Sequence, residues 1–360
     1  MQKKIENNED TIDLQAILAQ DRSAQKGYDF YRDNFTAELD PKYVEALAGK
    51  HFVLVVGLGA RQLLGAEKIT NREEELRYFA ALKKLLEKMP GTSVDIVYPH
   101  SRDIDHSARQ VIRHVKKLKA QQEYKDKEFV IIGQSRGGTV ASRVALMAPE
   151  LIVGNEKNGE EGFIKKIMTL QSPVNGHAYT ANPVVEAIAS FIPERLLPGG
   201  LFGLGALTDK NLRKTFNPEA IHFALNPEYR DAVHDALLYF TSYSPDLPVL
   251  PWLAGTTDGL VTLINQFRTD IGSVAGCVQV NHIQSVIKAK NKNNDVRRDP
   301  SEAFAYVTAE ALAKNILYGS DYAHAVSTAE QDHVRIALNN GPRVTLLPKQ
   351  RHQFPHCQSK

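Results

Sequence analysis

Three residues in this chain of 360 have the types and the order for covalent acyl chemistry: Ser135, Asp258 and His282. A serine hydroxyl is a weak nucleophile until a neighbouring base takes its proton, and an imidazole base works best when a carboxylate fixes its tautomer. The serine stands in Gly133-Gln134-Ser135-Arg136-Gly137, which fits G-x-S-x-G. In that pattern a sharp strand-to-helix turn lifts the hydroxyl clear of a sheet, and glycines make room where strand and helix crowd. A pentapeptide with three fixed positions also occurs by chance, so the flanking elements must carry part of the argument.

Those elements fit. Phe129-Val130-Ile131-Ile132 reads as a buried strand before the serine, and Val140 and Val144 suit a helix packed on it. Val249 to Leu253 reads as a strand before Asp258, and Val278-Gln279-Val280 as a strand before His282. Each candidate thus follows a strand. Two bland alternatives remain at this level. Asp258-Gly259 is a common turn pair, and His352 or His356, after the apolar run Val344 to Leu347, could replace His282.

"DGLV" at 258–261, followed by "NHI" at 281–283, resembles the acid and histidine segments of bacterial true lipases. Matching blocks run from Phe52 to about Val286 and are similar to the lipase-like α/β-hydrolase superfamily. The resemblance implies Ser135 as nucleophile, His282 as general base and Asp258 as its orienter. It also implies an oxyanion hole of two backbone N–H groups, from Arg136 and from Leu58 after the first strand. Many lipases read His-Gly-X at the second place. Here it is Val56-Gly57-Leu58, a departure in the side chain but not in the amide. Arg136 stands where such enzymes often carry an uncharged residue.

The elements that must position these residues alternate. Phe52 to Val56 is a continuous apolar run, as a strand buried on both faces should be. Thr70 and Glu73 form a capping box before a helix with Leu76, Phe79, Leu82 and Leu86 on one face. Val94 to Tyr98, a helix through Val111, Val115 and Leu118, and Ile167 to Leu170 continue the rhythm, which predicts a mostly parallel sheet flanked by helices. Residues 176–246 break it, with "VVEAIASFI", "LLPGGLFGLGAL" and an amphipathic helix around Tyr229, Val233, Leu237 and Phe240. The expected organisation is an N-terminal helical extension (1–49), an α/β-hydrolase core (50–300) with an inserted helical cap at about 176–246, and a C-terminal helical addition and tail (301–360).

Composition narrows the class. The chain is 42% hydrophobic and 24% charged with net charge +2, which argues against a general nucleic-acid surface. Two cysteines, Cys277 and Cys357, make neither a disulfide framework nor a metal cluster. The first 20 residues lack the apolar core of a signal peptide, and no stretch approaches the roughly 18 apolar residues of a membrane span. The expectation is a cytoplasmic protein, with signal-independent export open. The expected activity is hydrolysis of a carboxylic ester, favouring a lipid, with no metal or cofactor. An acyltransferase using the same triad and a non-catalytic binder on the same scaffold are the rivals. Residues 288–298 hold five basic groups against one acid and read either as a solvated loop or as a contact for anionic lipid.

Overall fold

The computed structural model describes residues 24–57, 78–99, 103–155, 159–175, 227–244, 257–258, 261–286 and 298–340. Among the described residues two helices, α1 (Ala24–Asp33) and α2 (Pro41–Leu47), precede the strand β1 (His51–Val55). Then come α3 (Ala80–Glu87), β2 (Ser93–Val97), α4 (Ile104–Lys119), β3 (Phe129–Gln134) and α5 (Arg136–Met147). A short helix α6 (Glu150–Val153) leads into a two-stranded ladder of β4 (Gly154–Asn155) and β5 (Glu160–Glu161). β6 (Ile164–Leu170), α7 (Pro227–Ala236), β7 (Leu237–Tyr243), β8 (Ser273–Gln279) and α8 (Pro300–Asn340) complete the described order.

Among the described residues six strands form one sheet in the order β2-β1-β3-β6-β7-β8, and every pairing in it is parallel. Alternation along each strand feeds two separate cores, because successive side chains leave opposite faces of a pleated strand. Phe52, Leu54, Val130, Ile132, Leu238 and Phe240 pack on one face with residues of α1, α3 and α8. Val53, Val55, Phe129, Ile131, Leu237 and Tyr239 pack on the other with α4 and α5. This is why Phe52 to Val55 in β1 and Phe129 to Ile132 in β3 read as unbroken apolar runs: neither face of these central strands meets water. The helix α8 covers β8, α1, α2 and α3, and bends at Gly319, whose φ of 73° is not helical.

Two expectations are corrected here. The proposed cap at 176–246 does not hold for its last part, because α7 and β7 fill 227–243 and β7 is an interior strand of the sheet. Residues 237–242 are all buried, which suits a strand covered on both sides. The spacing of Tyr229, Val233, Leu237 and Phe240 imitated one helical face because α7 ends at Ala236 and β7 begins at the next residue. Secondly, the helix with Leu82 and Leu86 opens at Ala80, and Phe79 is its N-cap with φ 61°. The Thr70–Glu73 capping box, the strand at 249–253 and residues 176–226 lie outside the described residues.

Candidate active site

In a parallel sheet all carboxyl ends lie along one edge, which is where open α/β sheets bind ligands. Ser135 follows β3 directly. The end of β7 leads toward Asp258, and His282 follows β8. The sequence therefore separates these side chains, and the sheet gathers their loops at one edge.

The backbone of the elbow is strained at the candidate serine. Ser135 has φ 55° and ψ −131°, a region that side-chain-bearing residues rarely occupy. Its N–H donates to Leu170 O at 2.9 Å, tying the turn to β6, while its carbonyl accepts from Gly138 N at 3.0 Å to start α5. The elbow glycines act through space rather than through unusual angles, since their φ values are not positive. A Cβ on Gly133 would meet Gly138 Cα at 2.6 Å, and one on Gly137 would run into the Val55 carbonyl. Ser135 is partly exposed, whereas Asp258 and His282 are buried at 0% and 4% exposure. A partly exposed serine beside a histidine–carboxylate pair kept from water is what acyl chemistry would need.

Asp258 and His282 pair twice. His282 Nδ1 lies 2.7 Å from Asp258 Oδ2, and His282 N–H donates to the Asp258 carbonyl at 2.9 Å. With the Nδ1 proton directed at the carboxylate, Nε2 is the ring atom left to accept a serine proton. The acid is itself held. Val261 N–H donates to Asp258 Oδ1 at 2.7 Å, Gln266 Nε2 approaches Oδ2 at 3.3 Å, and a bridge from Thr257 to Thr262 closes the turn. Asp258 is thus a turn residue and a histidine partner at once.

A buried polar layer lies behind these groups. The Tyr78 hydroxyl takes a hydrogen bond from the Gly57 backbone and gives one to Gln134 Oε1. Burial pushes this phenol above its usual range, so it stays a donor. Gln134 Nε2 in turn reaches the His282 carbonyl at 3.3 Å and Gln171 Oε1 at 3.3 Å. This layer links the loop after β1, the elbow and the histidine loop. No local pattern marks Tyr78, Gln134, Gln171 or Gln266, because each acts across elements distant in sequence.

Of the two expected oxyanion donors, Arg136 is the first residue of α5, and first-turn amides of a helix point out of its N-terminus. Leu58 lies outside the described residues. Its neighbour Gly57 packs so tightly on the elbow that an added Cβ would lie 2.9 Å from Ser135 Cβ. The Arg136 side chain is buried and its guanidinium donates to Ser107 Oγ at 3.1 Å, which turns it toward α4. His352 and His356 lie outside the described residues. Cys277 is buried and its thiol is pushed far above the usual range by burial, which disarms it as a rival nucleophile.

The parallel sheet, its strand order and the strained serine after β3 define the class: the chain has the α/β-hydrolase fold. No family model matches the sequence, and no curated protein matches it. Among solved structures it is similar to phospholipase PlaB from Legionella pneumophila, with TM-score 0.50 and 13% identity over 81% of this chain and 65% of that one. A metagenomic carboxyl esterase has TM-score 0.46 and 14% identity, covering 75% of this chain and 76% of its own. The lipase of Staphylococcus hyicus has TM-score 0.44 and 14% identity, covering 82% and 100%. Among the described residues, no helix is long and apolar enough to cross a membrane.

Proposed function

We propose that this chain is a serine hydrolase that cleaves a carboxylic ester, favouring a lipid ester, through an acyl-serine intermediate. The observation that carries the reading is the strained Ser135 at the sheet edge toward which the buried Asp258–His282 pair is also brought. Ser135 Oγ attacks the ester carbonyl carbon while His282 Nε2 takes the hydroxyl proton. The tetrahedral oxyanion is met by the backbone N–H groups of Arg136 and Leu58. The bond to the alcohol oxygen breaks as His282 returns the proton to that oxygen. Water then attacks the acyl carbon, giving its proton to His282, and the acid leaves as Ser135 is restored. Asp258 keeps its proton-accepting oxygen on Nδ1 throughout.

The lipid preference rests on the apolar run "LLPGGLFGLGAL" at 196–207, which we assign to a substrate cover within 176–226. The proposal extends to a peripheral contact with anionic lipid through Lys288, Lys290, Lys292 and Arg297, outside the described residues. Arg298, the fifth cation of that run, belongs to the fold instead. It is buried, donates to the Phe35 carbonyl at 2.6 Å and to that of Ala37, and lies 4.1 Å from the Tyr306 ring centroid.

A fluorophosphonate probe tests the reading. Label on Ser135, absent in Ser135→Ala, supports it, and turnover of p-nitrophenyl esters of rising chain length then ranks the acyl group. Faster product formation with an added alcohol acceptor, as a new ester, marks an acyltransferase. No label at Ser135 leaves a binding protein on this scaffold.

A further inference from the structure

Among the described residues three non-glycine positions have left-handed backbone: Phe79, Ser135 and Gln171. Ser135 is the partly exposed serine of the elbow, and Phe79 stands at the turn into α3, where its ring packs edge-on against Tyr78. Gln171 follows β6 with φ 54° and is wholly buried. Glycine or asparagine would meet a smaller steric penalty there. A residue kept in such a backbone state against easier alternatives calls for a reason in its side chain.

That side chain is a junction. Gln171 Nε2 donates to Ser242 Oγ, and Oε1 accepts from Ser285 Oγ at 2.5 Å and from Gln134 Nε2 at 3.3 Å. Each partner belongs to a different catalytic segment. Gln134 is bonded to the nucleophile Ser135. Ser285 Oγ also lies 2.9 Å from the His282 carbonyl, which Gln134 Nε2 reaches too. The backbone of Ser242 is gripped at both ends by Gln266, through Ser242 N–H at 2.8 Å and Ser242 O at 2.9 Å, and the same amide nitrogen reaches Asp258 Oδ2. The main chain of Gln171 is anchored as well, its N–H donating to Phe240 O at 3.0 Å. Ordinary strand alternation would send residue 171 to the helix-covered face opposite Leu170. The left-handed step breaks that alternation at the strand end, where the three segments converge.

We propose that Gln171 is the positioning residue that holds the nucleophile, acid and histidine segments in mutual register. This rests on the serine-hydrolase reading above. Gln171 touches none of the reacting atoms. It acts through Gln134, Ser242 and Ser285, so its loss loosens the geometry of attack rather than the binding of ester.

The discriminating variant is Gln171→Asn. Asparagine suits a left-handed backbone, yet it is one methylene shorter and cannot span Ser242 and Ser285 together. A merely structural glutamine predicts a changed melting temperature with wild-type turnover. A positioning glutamine predicts, at temperatures where the variant is fully folded, kcat lower by about tenfold or more and KM much less affected, whatever the loss in melting temperature. The rate of fluorophosphonate labelling at Ser135 should fall in parallel. Ser242→Ala and Ser285→Ala leave the left-handed backbone in place and each cut one arm. Both should lower kcat severalfold at near-constant KM, which keeps the proposal testable should Gln171→Asn fail to fold. Wild-type kcat in the asparagine variant, or in both alanine variants, overturns the role of Gln171 while the hydrolase reading stands. A wild-type protein that takes no label overturns both.

Discussion

His282 and Asp258 are joined by side chain and by main chain, with Nδ1 2.7 Å from Oδ2 and the histidine N–H 2.9 Å from the aspartate carbonyl. The second bond orients the loop on which the imidazole sits, so the ring's direction does not depend on the carboxylate alone. An aspartate-to-asparagine change therefore separates position from tautomer at this site, because the backbone bond survives it.

From that pairing, Ser135→Ala and His282→Ala are each expected to lower ester turnover by several orders of magnitude, and the double variant to cost little more. Asp258→Asn should still fold yet be severely impaired, since an amide nitrogen facing Nδ1 favours the wrong tautomer. Steady-state kinetics on a p-nitrophenyl ester measure all four proteins. Near-normal activity in His282→Ala, with loss in His352→Ala or His356→Ala, would reassign the base.

The elbow glycines should respond to bulk. A methyl on Gly137 meets the carbonyl of Val55, which is backbone and cannot swing away. Gly137→Ala is expected to destabilise the fold by about 1–3 kcal/mol. Urea midpoints at constant slope check this. A midpoint equal to wild type would mean that α5 shifts freely against β1.

His51 sets an acid limit far from the catalytic edge. Burial is the main cause that lowers its pKa from 6.5 to about 4, with Lys127 and His114 adding to it and Asp95 opposing. The ring packs edge-on against Tyr124 and Phe129, and Nδ1 lies 2.8 Å from Ser93 Oγ. Because the folded value lies below the unfolded one, protonation favours the unfolded chain. The neutral ring's contribution is complete above about pH 6.5 and is lost as the pH falls toward 4, a change on the order of 3 kcal/mol. Denaturant melts between pH 7 and pH 4 should show a shallower loss for His51→Gln than for wild type. Parallel curves would assign the acid limit to other groups.

The basic run divides in two. Lys288→Gln, Lys290→Gln, Lys292→Gln and Arg297→Gln together should weaken activity on anionic vesicles at low salt and spare a soluble short-chain ester. At roughly 1 kcal/mol for each engaged cation, three contacts correspond to about a hundredfold in membrane binding, and added salt should erase the difference. Arg298→Gln should instead destabilise the protein, on the order of 2 kcal/mol, by stranding the carbonyls of Phe35 and Ala37. Equal vesicle activity of the fourfold variant and wild type would leave the run merely solvated.

Much of the architecture was legible in the chain. Strands buried on both faces must be apolar throughout, so Phe52 to Val56 and Phe129 to Ile132 announced a parallel sheet. The glycines around Ser135 announced a crowded turn for the same local reason. Leu237 to Phe240 was misread because β7 follows α7 with no linker, and a short apolar run carries no periodicity that separates strand from helix. Only its two packed faces decide the matter.

The sequence by itself determined which residues have the types and the order proposed for acyl chemistry, because the capacity to serve as nucleophile, base or acid is a property of residue types and of the turns around them. It also determined that one sheet would carry them. What only the tertiary structure decided is the set of distances and the residues that hold them. The 2.7 Å pairing of His282 with Asp258 and the junction at Gln171 depend on how far each strand runs and where its last residue turns. Glutamine and serine are common on any surface. Burial at the meeting of three segments is what makes Gln134, Gln171, Ser242 and Ser285 a framework, since there each polar atom must find a protein partner in place of water.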